Sequence, residues 1–187
     1  MRFDKILDIS ILLGYIGLIY STLSVAPAAF TFAAKALGPH LGTYINMLIA
    51  AVIAAISFFF YPRLKDRSWK VYPGLLAIFF IYVIILGRYT PIVSEKMHLI
   101  EYGLVGYFAL RVFRDVRSRD ARYILTILVI VIAGSCDEFI QRILPNRVYE
   151  LKDIYMNVLS GLLGLALLRL LGHADAGRPT GFDKLFR

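Results

Sequence analysis

Residues 121–143 read ARYILTILVIVIAGSCDEFIQRI, with no charged side chain between Tyr123 and Cys136 and then Asp137, Glu138 and Gln141 close together. An apolar helix of about 20 residues crosses the roughly 30 Å hydrocarbon core of a bilayer. A charge at the centre of such a helix costs about 2.5–3.5 kcal/mol on insertion scales, and less towards the interface. The segment therefore reads as a membrane helix with a polar end that faces neighbouring helices or a wet cavity rather than lipid.

The rest of the chain agrees. Of its 187 residues, 59% are hydrophobic and 18% charged, and the mean hydropathy is +0.69. Soluble domains have roughly 45–50% apolar and 25% charged residues, so a disordered chain or a soluble single-core enzyme does not fit. The single cysteine, Cys136, excludes an intramolecular disulfide framework and a zinc site built on paired cysteines. The expected class is an all-α helical bundle in a membrane.

Charge-free stretches run from Asp8 to Lys35 and from Ala36 to Pro62, with breaks expected at Pro27 and Gly38-Pro39. They give helices at about 6–26 and 41–61, with a short interfacial helix or loop at 28–37. Four further spans follow at about 72–88, 97–113, 121–143 and 153–171. Six spans are expected. Five is the fallback, because Arg2, Lys5, the apolar stretch and Ala26-Pro27-Ala28 faintly resemble a cleaved leader, although Asp4, Asp8 and Pro27 fit one poorly.

Placing both termini in the cytoplasm puts 15 of the 21 Lys and Arg residues on that side, among them Arg63, Lys65, Arg67, Lys70, Arg111, Arg114 and Arg122. Lys35, Arg88, Lys96, Arg142, Arg147 and Lys152 fall outside. The net charge of +8 is then a topology signal with contacts to anionic head groups, and nucleic acid is not an expected partner. Three units follow: two helices and a basic loop over 1–71, a four-helix domain over 72–172 and a flexible tail over 173–187. The bilayer is the expected environment, and no sequence feature fixes an oligomeric state.

With this orientation, polar residues from three segments converge on the outer face. The fourth segment opens with Glu95, Lys96, His98 and Glu101, the fifth closes with Asp137, Glu138 and Gln141, and the sixth begins with Asp153 and Asn157. Residues three or four apart share a helix face, which pairs His98 with Glu101, Glu138 with Gln141 and Asp153 with Asn157. Glu138 and His98 form the candidate acid/base pair. In the turn Pro145-Asn146-Arg147, Arg147 is placed to fold back towards the acids and hold a phosphate or carboxylate. Gln141, Asp153, Asn157, Glu101 and Lys96 complete the candidate substrate-binding set.

Each feature has a structural alternative: Asp153 as a helix N-terminal carboxylate, Asn157 as interhelical glue, Arg147 and Lys152 as head-group contacts. No cofactor or metal is expected, since no spacing supports an ion held by Glu138, Asp153 and His98. Packing is read from small residues, Gly103 and Gly106 on the fourth segment and Ser160, Gly161 and Gly164 on the sixth.

The runs Glu95-Lys96-Met97-His98 and Glu101-Tyr102-Gly103, then Asp137-Glu138-Phe139-Ile140-Gln141 with Pro145-Asn146-Arg147, and finally Asp153, Asn157 and Gly161, resemble in order the motifs of VanZ-like membrane proteins. The resemblance covers about 72–172 and leaves the first two segments outside. Asn146 stands where that family often has glycine, a turn position asparagine tolerates. The spacing from Lys96 to His98 is two positions, where many members have three. The resemblance implies a bacterial cell-envelope setting, with low-level teicoplanin resistance as the namesake's phenotype, and implies no defined reaction. The expected partners are a lipid-linked envelope precursor or a glycopeptide. Competing readings are a proton-coupled carrier, disfavoured because little charge lies deep in the helices, and a structural membrane partner whose polar cluster only locks the bundle.

Overall fold

The structure, a computed structural model, describes residues 3–48, 51, 69, 71–86, 93–145, 147 and 149–171, the side chains of 93–95 excepted. Most of the expected 41–61 helix, nearly all of the basic connection 63–70, Tyr89, Asn146 and the 173–187 tail lie outside the described residues. Those described are helical with short turns: α1 (Phe3–Thr22), α2 (Ala26–Leu37), α3 (Val71–Ile84), α4 (Val93–Val112), α5 (Arg119–Ile143) and α6 (Leu151–Leu170).

The first break falls earlier than Pro27. Chain direction changes at residues 23–25, and α1 meets the following helix at 63°. Pro27 lies in the first turn of α2. There its missing N–H had no intrahelical acceptor to lose, so proline starts this helix instead of ending one. Gly38 does end α2, with φ +57° and its N–H donating to Ala34 O, a left-handed position that favours glycine. A 3-10 turn, Gly38–His40, follows, and the chain is helical again to Leu48.

Both α5 and α6 form where hydropathy places them. Ser118 caps α5, its Oγ accepting from Ala121 N at 3.3 Å. Among the described residues α5 and α6 are long and apolar enough to cross a membrane, and the bent pair beginning with α1 counts as a third candidate. Thus two or three spans are supported among the described residues where six were expected: α3 is a shorter apolar helix of 14 residues, α4 carries Lys96, His98 and Glu101, and most of the 41–61 segment lies outside the described residues.

At the centre, α4 packs most extensively on α6 and also contacts α1 and α5. Glycines set its separation from α6. A Cβ on Gly164 would lie 2.9 Å from Gly103 Cα, and one on Gly106 would lie 3.2 Å from Gly161 O. The two backbones touch, as the small-residue surfaces anticipated. Ile130 of α5 fills the space over Gly161, where a side chain would collide with it. Leu12 and Ile19 of α1 join Tyr102, Val105, Ala109, Ile130, Ala133 and Leu165 in one core cluster.

The radial pattern is that of a membrane bundle. On α5, Ile132 and Phe139 are 60% and 61% exposed while Asp137 and Glu138 are fully buried. Apolar side chains point outwards and carboxyls inwards, the reverse of a soluble helix.

The opposite end of the bundle holds an ion-pair network that the charge distribution alone did not reveal. Asp8 of α1, 3% exposed, lies 2.8 Å from Arg111 Nη2 and 3.3 Å from Arg114 Nη1, at the end of α4. At the other end of α1, Tyr20 OH donates to Ala133 O at 2.8 Å. These contacts fix α1 antiparallel to α4 and alongside α5.

Candidate functional site

At the end of the bundle formed by the start of α4, the end of α5 and the start of α6, Asp137 is the hub. Its Oδ2 accepts from Tyr102 OH at 2.9 Å and from Asn157 Nδ2 at 3.3 Å, and His98 Nδ1 lies 4.0 Å away. Three helices thus meet on one carboxylate. Glycine lets them: a Cβ on Gly134 would come within 3.0 Å of Asn157 Cβ, so Gly134 is what allows α6 to bring its amide to α5. Tyr102 OH also reaches Ala133 O at 3.3 Å, the carbonyl that Tyr20 engages.

A second carboxylate lies beside the hub. Glu138 Oε1 accepts from Gln141 Nε2 at 2.8 Å, the contact their three-residue spacing anticipates, and its Oε2 accepts from Glu150 N at 3.2 Å. Glu150 is the residue just before α6, so Glu138 ties the end of α5 to the start of the next helix. Both of its oxygens are engaged, and the residue is fully buried.

His98 Nδ1 lies 3.3 Å from Glu101 Oε2, an ion-pair distance on one helix face. Its contacts are with Glu101 and Asp137, while the hydrogen bonds of Glu138 go to Gln141 and Glu150. Glu138 and His98 are near enough to interact electrostatically, as Asp153 does with both. Asp153 occupies the first turn of α6, one turn before Asn157.

Two residues of the anticipated set turn elsewhere. Arg147 Nε donates to Leu23 O at 3.1 Å, which joins the α5–α6 connection to the end of α1 instead of to the acids. Lys96 Nζ donates to Asn46 Oδ1 at 2.9 Å, in the helical stretch after α2. Sequence reasoning missed Tyr102 and the central place of Asp137. Their signal was present, since Tyr102 follows His98 by four residues and Asp137 precedes Gln141 by four.

The chemical character of the cluster follows from what it leaves unpaired. Among the described residues, Asp137 Oδ1 and Asn157 Oδ1 are buried without a hydrogen-bond partner, while His98 Nδ1 faces Glu101 Oε2 at 3.3 Å. A buried polar atom without a partner costs about 1–3 kcal/mol, so two such atoms side by side leave hydrogen-bonding capacity for a water or another donor. Both are pure acceptors, which suits a hydroxyl, amine or water. The imidazole and the carboxylate beside it are the residue types that exchange protons. No group of three or more His, Cys, Asp or Glu side chains among the described residues is arranged to hold a metal ion.

No curated protein and no solved structure matches the chain. The family model described as VanZ/LLP1 matches residues 43–172. That range takes in most of the 41–61 segment, which the motif resemblance left outside, and contains every residue of the polar cluster. The ordered motifs, the helices that carry them and this match over most of its length agree, and the chain belongs to the VanZ/LLP1 family.

Proposed function

We propose that the chain is a multi-pass protein of the bacterial cytoplasmic membrane, with six spans and both termini inside, whose outward polar cluster binds or chemically alters a lipid-linked or amphipathic envelope molecule. The observation that carries this reading is the pair of buried, unpaired acceptor oxygens on Asp137 and Asn157, beside the imidazole of His98. A cluster serving only as a lock would gain by satisfying them. In this reading Asp137 and His98 exchange a proton with the ligand's donor group, Glu101 orients the imidazole, and Tyr102 and Asn157 hold the carboxylate in place. Glu138, saturated by Gln141 and Glu150, positions the α5–α6 connection and acts on the cluster electrostatically.

A second reading rests on that saturation: a buried carboxylate with both oxygens engaged, as in Glu138, also serves a purely structural partner protein. One paired assay separates the two. Glu138→Gln and His98→Ala are each compared with wild type for folded protein in membranes and for teicoplanin susceptibility in the same cells. The site reading expects His98→Ala to remain abundant and to lose the phenotype. The structural reading expects abundance and phenotype to fall together in both variants.

A further inference from the structure

The polar cluster has acceptors to spare and its donors are engaged. Tyr102 OH and Asn157 Nδ2 donate to Asp137 Oδ2, and Gln141 Nε2 and Glu150 N donate to the two oxygens of Glu138. What stays open is Asp137 Oδ1 and Asn157 Oδ1, on two fully buried side chains already joined through Asn157 Nδ2. The amide has to turn its nitrogen to the carboxylate, which leaves its oxygen for a second donor.

Charge points the same way. Glu101 acts electrostatically on Asp137, and Asp137 and Asp153 act on Glu138. Among the described residues, the basic side chain at ion-pair distance from Asp137 is His98, at 4.0 Å, and its Nδ1 lies nearer to Glu101, at 3.3 Å. The cations anticipated for the cluster are directed elsewhere, Lys96 Nζ to Asn46 Oδ1 and Arg147 Nε to Leu23 O. A buried carboxylate without a close counter-ion is costly. His98 and Glu101 keep 12% and 26% of their side chains exposed, so the cluster reaches the surface on their side.

Together these features select a head group. An anion would meet carboxyls, and donors already engaged with them. A neutral hydroxyl brings one hydrogen for two oxygens and no charge, and a quaternary ammonium brings charge and no hydrogen. A primary ammonium brings both, with three N–H donors and no acceptor. We infer that the open oxygens of Asp137 and Asn157 receive the primary ammonium group of an amphiphile. This rests on the proposed function and names its substrate class, a cationic head group with N–H donors in place of the phosphate or carboxylate expected at Arg147.

Binding of octylammonium, octyltrimethylammonium, octanol and octyl phosphate is measured on the full-length protein in phosphatidylcholine nanodiscs, with empty nanodiscs subtracted. That lipid's head group carries no N–H and does not compete as a donor. Octylammonium is expected to bind wild type about tenfold or more tighter than octyltrimethylammonium or octanol, the effect of one hydrogen bond to a charged group. Octyl phosphate is expected to bind no more than it does to empty nanodiscs. Asp137→Asn is expected to weaken octylammonium binding about tenfold or more. The comparison of primary with quaternary ion uses wild type alone and decides the matter even where Asp137→Asn fails to fold.

Equal binding of the two ions would overturn the inference, as would octylammonium binding that a folded Asp137→Asn protein retains. Absence of binding above empty nanodiscs would also overturn it and assign the two oxygens to water. Displacement of octylammonium by sodium chloride but not by choline chloride would assign them to a bare metal cation instead. Binding is read without the teicoplanin phenotype. A missing ammonium preference, with His98→Ala abundant and lacking the phenotype, leaves the site standing with another ligand. A His98→Ala protein that loses abundance and phenotype together leaves the binding result intact.

Discussion

Tyr20 gives its one hydroxyl proton to the Ala133 carbonyl at 2.8 Å, whereas Tyr102, 3.3 Å from that carbonyl, is closer to the buried carboxylate of Asp137, at 2.9 Å. Hydrogen bonds between membrane helices average about 0.6 kcal/mol and reach about 1.7, whereas bonds to charged groups contribute about 1.5–3 kcal/mol. Tyr102→Phe is therefore expected to lower stability by about 1–2 kcal/mol, and Tyr20→Phe by less than about 1, in denaturant titration of the detergent-solubilised protein. Equal losses would mean that Asp137 does not draw on the phenol. Glu138→Gln has its own signature: two N–H donors face the two oxygens of Glu138, and a glutamine amide accepts at only one of them. A modest loss of stability is expected even if that residue has no ligand role, so abundance must be measured beside any phenotype. The pairings within α5 and α4 were legible from spacing alone. The identity of the hub was not, because which carboxylate of Asp137-Glu138 meets Tyr102 depends on how α5 is rotated against α4, and no single-helix periodicity contains that.

Among the elements, the contact between α4 and α6 is the most exacting. Overpacking costs roughly 1–3 kcal/mol when the neighbours cannot move, and here those neighbours are backbone. Gly164→Ala, meeting Gly103 Cα at 2.9 Å, is expected to be the most damaging of three changes. Gly106→Ala at 3.2 Å from Gly161 O should be milder, and Gly103→Ala, with nothing nearer than 4.0 Å, close to neutral. Gly14→Ala and Gly17→Ala in α1 meet nothing within 4 Å and should gain up to about 1 kcal/mol from helix propensity. Thermal unfolding of the five variants checks the order, and a Gly164→Ala protein as stable as Gly14→Ala would refute the close approach. The small residues on both surfaces were readable as a pattern, and α5 and α6 begin and end within two residues of the hydropathy reading. The turn at 23–25 was not readable, since Pro27 looks like a breaker until its place in the first turn of α2 is known.

Across the molecule, α1 is tied down at both ends, by Asp8 to Arg111 and Arg114 and by Leu23 to Arg147. Removing one partner of a buried pair costs about 3–5 kcal/mol, while exposed pairs contribute about 0–1. Asp8 is 3% exposed and Arg114 39%. Asp8→Ala should accordingly loosen α1 far more than Arg114→Ala, which limited proteolysis in detergent would reveal as earlier cleavage at the turn after Thr22. These contacts were hidden in the sequence because a charge near a helix end already has an explanation as a topology signal, and 124 residues separate Leu23 from Arg147. The polar cluster was visible as three groups at one depth, but its unpaired atoms appear only once the helices are packed.

The claim on which the functional reading depends is that Asp137 serves a ligand and does more than hold the bundle together. Asp137→Asn keeps the side chain's size, and Asp8→Ala supplies a variant destabilised at the opposite end of the bundle. Unfolding free energy and teicoplanin susceptibility are measured for both in the same membranes. The expected result is a lost phenotype in Asp137→Asn at a stability no lower than that of an Asp8→Ala protein that still retains it. A phenotype that follows stability across both variants, with Asp137→Asn no worse than its unfolding free energy explains, would contradict the site.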